Sequence, residues 1–204
     1  MLDPDAEATA IAQRAKLEPN EPHSVIALAL GLELGVAYYP HTVLRGLNSL
    51  LFWPRGRSAR PEIALRRGLT PKTRTWCIAH EIAEDHLGVL DYRAPDVEQQ
   101  ANAIAAALLM PRLCFREQVR DWGQNLPELA DQFATTETAV ALRLAEVRAV
   151  DVCAVVTPAT VYVRAPEEFV LPAPAELRRL ARTGHPGLRK IAVTDDRRRV
   201  ALIA

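Results

Sequence analysis

Apolar residues recur at helical spacing along residues 5–16, and again in a stretch that Asn20 can cap and that runs through Leu34, with Pro22 near its start and Gly35 at its end. The period then shortens. Residues 36–39, 49–53 and 62–66 are short β-prone runs separated by proline, glycine and arginine, which predicts a small sheet. Thr70 followed by Pro71 starts a helix, because threonine caps free amides and proline fits the first turn, and Gly88 stops it. Ile78, Ala79, Ile82, Ala83 and Leu87 form its buried stripe. Ala94-Pro95-Asp96 opens the next helix, whose stripe is Val97, Ala101, Ile104, Ala105 and Leu108, and Pro111 bars helix at Met110.

Residues 112–121 continue as an amphipathic helix ending near Trp122-Gly123, and residues 126–147 form two short helices with a tight turn at 134–136. That pair has a helix-turn-helix pattern. Its second helix is expected to expose Glu137, Thr138, Ala141 and Glu146 and carries one basic residue, Arg143, which is poor equipment for phosphates, so a packing role is expected. From Val150 the period returns to two. Residues 151–156 and 160–164 flank Thr157-Pro158-Ala159 as a hairpin, and 190–193 with 200–203 make a second pair, with a short helix near 175–182 between them. The prediction is an α+β chain organised as residues 1–123, 124–149 and 150–204, with the proline-rich stretch 166–174 as a linker inside the last part.

Composition narrows the class. A chain of 204 residues, 49% hydrophobic and 25% charged, can bury a core. Lysine plus arginine equals aspartate plus glutamate at 25 each, so net charge gives no argument for wholesale attraction to nucleic acid or membrane. Between Arg55 and Arg74, however, seven basic residues face one acidic residue, Glu62, and a second basic cluster runs from Arg178 to Arg199; both are expected to be solvated surface. Cys77, Cys114 and Cys153 are odd in number, widely spaced and set among apolar residues, so buried thiols are expected rather than a disulfide framework. The acidic start Met-Leu-Asp-Pro-Asp lacks the basic flank and apolar stretch of a signal peptide, and no apolar run reaches membrane-spanning length, so the expected location is cytoplasmic.

The candidate chemistry sits in residues 79–86, Ala-His-Glu-Ile-Ala-Glu-Asp-His. This is one residue away from the His-Glu-x-x-His signature of zinc peptidases. Positions four apart share a helix face, so His80 and Glu84 can converge on one metal while Glu81 is offset toward a bound water as general base. The connection to the next helix is short, which favours antiparallel neighbours and lets Glu98 face His80 and Glu84 as a third ligand. The blander alternative is a solvated face of Glu81, Glu84 and Asp85 with a hydrogen-bonded His80 and no metal. His86 lies about 240° round the helix from His80 and cannot share its metal; a role near the helix end is expected. His23, His41 and His185 lack partners at ligand spacing, and Tyr92 in the connection is expected to pack.

The His80-Glu81 helix, the block Glu98-Gln99-Gln100-Ala101-Asn102 running into Ala105 to Pro111, and the helix pair of residues 126–147 together resemble the ImmA/IrrE family of metallopeptidases over roughly residues 20–150. The resemblance implies a zincin-like fold, a small sheet packed on two ligand-bearing helices over residues 1–123, with a helix-turn-helix segment at 124–149 and a small C-terminal α+β tail. It implies zinc, with His80 as first ligand, Glu81 as general base and Glu98 as the carboxylate ligand of the second helix. Glu84 stands where the family pattern usually has a second histidine. A carboxylate there makes the site formally neutral, lowers its Lewis acidity and admits manganese or iron. The implied activity is a metal-dependent endopeptidase that cleaves or inactivates a helix-turn-helix repressor and so relieves transcriptional repression. The rival is a non-catalytic regulator in which the same fold binds a repressor or, with weaker support, DNA.

Overall fold

A computed structural model gives the fold and describes residues 2–19, 21–53, 60–88, 95–122, 125–147, 153–156, 161–164, 173–183, 189–192 and 200–203. Within them the chain is α+β and divides into two units, Met1–Phe115 with Phe133–Thr135, and Arg116–Gln132 with Thr136–Ala204.

The first unit opens with α1 (Pro4–Arg14), whose free amides are met by the Asp3 side chain. Helix α2 (Val25–Gly31) is much shorter than the run from Asn20 to Leu34 that the periodicity predicts. Ser24 takes the N-cap position, and Glu33 turns to a φ of 60° that no helix can continue through. Asn20 lies outside the described residues. Gly31 ends α2 where it meets the chain after α1: a Cβ at Gly31 would lie 2.3 Å from the Ala15 carbonyl oxygen and 2.9 Å from its Cα. Gly31→Ala is therefore expected to cost about 1–3 kcal/mol through overpacking against rigid backbone. The check is the urea midpoint, and an unshifted midpoint would mean that the two segments part freely.

Strands β1 (Gly35–Tyr39), β2 (Ser49–Phe52) and β3 (Glu62–Arg66) form the small sheet that the shortened period predicts. Its order is β1-β3-β2, with β1 parallel and β2 antiparallel to β3. Helix α3 (Pro71–Leu87) packs on β2 and β3, and Leu51, Ile63 and Leu65 are buried. Helix α4 (Pro95–Leu109) packs on both α1 and α3. Its expected stripe is too narrow: from Ala103 through Leu109 every side chain is buried, and the run of alanines lets two helices approach one segment. Two ion pairs and one histidine–carboxylate hydrogen bond anchor α1 to α3 and to the residue after Pro111: Arg14 to Asp85 at 2.8 Å, Asp5 to Arg112 at 2.7 Å, and His86 to Glu7 at 2.7 Å. His86 is thus used near the helix end. Cys77 is buried as expected, whereas Cys114 is only half-buried because it lies early in α5 (Arg112–Trp122), a helix with a partly exposed flank; the Cys153 side chain lies outside the described residues.

In the second unit, α6 (Leu126–Gln132) packs on α7 (Glu137–Glu146), which Thr136 caps. The turn between their sequence positions holds Ala134 at a φ of 47°, in the stretch where the helix-turn-helix pattern puts it. The expected exposure of α7 is corrected. Of the four residues expected to be exposed, Ala141 is 0% exposed and Glu137, Thr138 and Glu146 are half-buried, because α7 is covered by α6 and by strands β4 (Cys153–Val156) and β5 (Val161–Arg164); Arg143 is also fully buried. Arg143 is paired with Glu146 at 3.3 Å, so the lone basic residue of α7 is a buried ion-pair partner. The two predicted strand pairs are present, β4 with β5, and β6 (Arg189–Ala192) with β7 (Val200–Ile203), and β4 also pairs with β7 to give one four-stranded sheet. Helix α8 (Pro174–Thr183) lies between the pairs in sequence. Thr157-Pro158-Ala159 lies outside the described residues. No helix among the described residues is long and apolar enough to cross a membrane.

Candidate metal centre

Helix α3 is a well-delimited rod because its ends are set locally. The Thr70 hydroxyl accepts from the Thr73 amide at 3.2 Å, Pro71 fills the first turn, and Gly88 takes a φ of 65° that a residue with a Cβ adopts only with strain. Ile78, Ala79, Ile82 and Ala83 are buried, as their spacing predicts. The acidic positions sit deeper than a solvated helix face allows: Glu81 is 3% and Glu84 7% exposed. An ordinary solvated face would leave both in water.

His80 Nε2 lies 3.3 Å from Glu84 Oε1 on the same helix and 3.7 Å from Glu98 Oε2 on α4. One ligand atom from each of the three residues lies within 4.8 Å of the others. Tetrahedral coordination with bonds of about 2.1 Å puts ligand atoms roughly 3.4 Å apart, so the two histidine edges have the span of a single bound ion. The remaining edge, between the two carboxylates, is also within 4.8 Å, with Glu98 on the exposed side of the cluster. Asn102, one turn further along α4, donates from Nδ2 to Glu98 Oε1 at 3.2 Å and leaves Oε2 facing His80.

Electrostatics point to the same spot. Burial disfavours an imidazolium at His80, but Glu84, with Glu98 and Glu81 behind it, outweighs that and holds the His80 pKa above its ordinary value. The pocket of charge that stabilises a proton on this ring is the one that would stabilise a divalent ion. Glu81 is pushed up to about 7, mainly by burial and then by the neighbouring Glu84 carboxylate, while Ser49, His80 and the Leu51 backbone pull it the other way. Its Oε2 and His80 Nδ1 are buried without a hydrogen-bond partner among the described residues.

All four residues singled out by spacing therefore lie together, three around one point and Glu81 beside it against β2. Asn102, Ser49 and Leu51 were not assigned roles from the sequence. Asn102 carried a usable signal, since a residue four after a candidate carboxylate shares its helix face; Ser49 and Leu51 did not, because strand-to-helix packing has no local signature. His23 binds the Glu18 carbonyl at 2.6 Å, and His41 is exposed and joins no metal-ligand cluster among the described residues. His185 and Tyr92 lie outside the described residues. A shallow cleft between α1 and the end of α4, bounded by Asp5, Ala8, Ala107 and Arg112, contains none of the four site residues.

The family model of the IrrE N-terminal-like domain, a peptidase family, matches residues 41–145, which is just over half of the chain and includes all four residues. No curated protein matches the sequence. Among solved structures, the fold is similar to a chain described as a Mycobacterium tuberculosis transcriptional regulator, with a TM-score of 0.60 and 14% identity over 93% of this chain. The likeness spans 64% of that chain, less than two thirds of its length.

Proposed function

Since this chain belongs to the IrrE N-terminal-like domain family of peptidases, we propose that it is a metal-dependent endopeptidase of zincin-like fold, with His80, Glu84 and Glu98 holding the ion and Glu81 moving the proton. The observation that carries this reading is the convergence of one imidazole and two carboxylates beside a fourth, buried carboxyl. The residues fit a divalent cation on donor type, spacing and charge. Two carboxylates and one imidazole make a harder set than two histidines and one carboxylate, so manganese or iron joins zinc as an occupant. A divalent ion held there supplies Lewis acidity toward a peptide carbonyl and toward water.

The chain's own groups do the rest. Glu81 accepts the proton of the attacking water and returns it to the leaving amine nitrogen. Ser49 and the Leu51 backbone stand beside the Glu81 carboxyl and limit its orientation. Asn102 keeps Glu98 turned toward His80. The proposed physiological substrate is a helix-turn-helix repressor, whose cleavage relieves repression. Incubating the protein with candidate repressors, with and without a chelator, tests this: chelator-sensitive appearance of two fragments is expected, and cleavage indifferent to chelation would contradict it.

A second reading is supported by the likeness to a transcriptional regulator and by Glu84 at the usual histidine position. In it, the fold binds a repressor without cutting it. DNA binding through α7 gains no support, since its basic residue is fully buried. A metal-loaded protein that holds a repressor but leaves it intact would decide for this reading.

A further inference from the structure

The small sheet is apolar on both of its sides. In its two registers Ser49, Leu51, Ile63 and Leu65 share one side, and Ala37, Tyr39, Leu50, Phe52 and Ala64 share the other, with Glu62 and Arg66 at the two ends of the middle strand. The first side is the one that α3 covers: Leu51, Ile63 and Leu65 are buried there, and Ser49 lies against Cys77 and Glu81. Among the described elements of this unit, the helices packed on the sheet are α2 and α3, which also pack on each other, so the outer side carries neither. A sheet with water on one side alternates apolar and polar residues. Strand β2 reverses that order, because its polar residue, Ser49, turns inward while Leu50 and Phe52 turn outward. Phe52 is 50% exposed. An outer side of this composition is a surface made to be covered.

Size, shape and charge select the occupant. Three strands of four or five residues offer a patch of roughly 14 by 16 Å. A stable dimer takes about 800 Å² from each partner, several times what this patch supplies, so a second copy of the chain does not fit it. A single helix, about 10–12 Å across, covers it with about three turns. The middle of the patch is low, because Ala37 and Ala64 are neighbours in the register, while Tyr39, Leu50 and Phe52 stand around them. The face of a sheet, unlike its edge, offers no backbone partner, so a segment lying on it brings its own backbone hydrogen bonds, as a helix does. Charge sets the flanks of that helix. From residue 36 to residue 74 the only acidic residue is Glu62, among eight basic ones, and Glu62 accepts from the Tyr39 hydroxyl at 2.6 Å. Arg60 precedes β3, Arg67 follows it and Arg45 lies between β1 and β2; all three are exposed and in no ion pair among the described residues.

We propose that the outer side of the β1-β3-β2 sheet docks one amphipathic helix of a partner protein, with its apolar stripe on Ala37, Leu50, Phe52 and Ala64 and acidic residues along its flanks facing Arg45, Arg60 and Arg67. The surface lies across the sheet from α3 and its His80 and Glu84, so a helix bound there leaves the metal cluster open. The inference stands apart from the peptidase reading, since docking needs neither a metal nor cleavage. Apolar contact supplies the affinity, and the arginines set the sign of charge that is accepted.

The test uses the full-length protein and three labelled peptides, each held helical by a hydrocarbon staple and followed by fluorescence anisotropy. The first has a leucine stripe flanked by glutamates; the second replaces the glutamates by lysines; the third keeps the composition of the first but scatters the leucines round the helix. The first is expected to bind roughly tenfold or more tightly than either of the others, and to shift the methyl signals of Ala37 and Ala64 in the protein's NMR spectrum. Phe52→Glu, at a half-exposed position, should weaken the first peptide about tenfold or more. Arg60→Glu with Arg67→Glu, both exposed, should cancel or reverse the charge preference with Phe52 in place. Equal binding of the first two peptides, equal binding of the scattered one, no binding of any, or unmoved Ala37 and Ala64 signals overturns the proposal. So does oligothymidine that displaces the first peptide as well as unlabelled peptide does, which would assign the surface to nucleic acid. A wild-type dimer in sedimentation that Phe52→Glu splits would assign it to a second copy and overturn the proposal as well. Hydrolysis by the metal-loaded protein is measured separately, and its absence counts against the peptidase reading alone.

Discussion

Glu81→Gln is expected to slow peptide hydrolysis by roughly a hundred- to ten-thousand-fold, the range that a positioned general base contributes, while leaving metal content unchanged. The amide has nearly the size of the carboxylate and fits the same buried place beside β2. It cannot accept a proton, which is the function assigned to this side chain. Because Glu81 is not among the three clustered residues His80, Glu84 and Glu98, the ion should remain. Initial rates of substrate cleavage and elemental analysis of the same preparation check both halves. Cleavage at the wild-type rate would remove Glu81 from the mechanism, and loss of metal would make it a ligand instead.

Glu84→His is expected to tighten zinc by roughly tenfold or more, about 1.4 kcal/mol, and to raise the hydrolysis rate. Glu84 is the carboxylate that most supports a proton on His80 and also raises the Glu81 pKa. Removing its charge lowers both values. His80 then gives up its proton more readily to a competing ion, and the site regains a net positive charge with zinc bound, so it polarises a carbonyl and a water more strongly. Imidazole also suits zinc better than a second carboxylate does. Titration with a zinc indicator, alongside the cleavage rate, measures the gain. Weaker zinc with unimpaired manganese or iron would identify the natural site as one tuned for a harder ion.

The ligand helix was legible because its determinants are local. Thr70, Pro71 and Gly88 fix its ends, and the four-residue interval from His80 to Glu84 fixes their shared face. Glu98 was reachable by one further step, since a short connection keeps the next helix close. What escaped the sequence was long-range. The side-chain hydrogen bonds that seat α1 join residues 71, 79 and 107 positions apart, and nothing near Arg14, Glu7 or Asp5 marks their partners. The order β1-β3-β2 is set by how the chain crosses, not by alternation within any strand. Glu81 and Glu84 read as candidate solvated charges until β2 and α4 cover them. Ala141 was expected on an exposed face for the same reason, because an alanine in a short helix carries no sign of which neighbours will cover it.

The joint grip of His80, Glu84 and Glu98 on one ion is tested most directly by metal stoichiometry. Protein purified without chelator is analysed for zinc, manganese and iron beside an otherwise identical Glu98→Ala variant, with circular dichroism to confirm that both are folded. One equivalent of a single metal in the wild type, reduced severalfold or lost in the variant, is the predicted result. A folded wild-type protein that takes up no divalent metal even after reconstitution, or a variant that keeps its full equivalent, would contradict it.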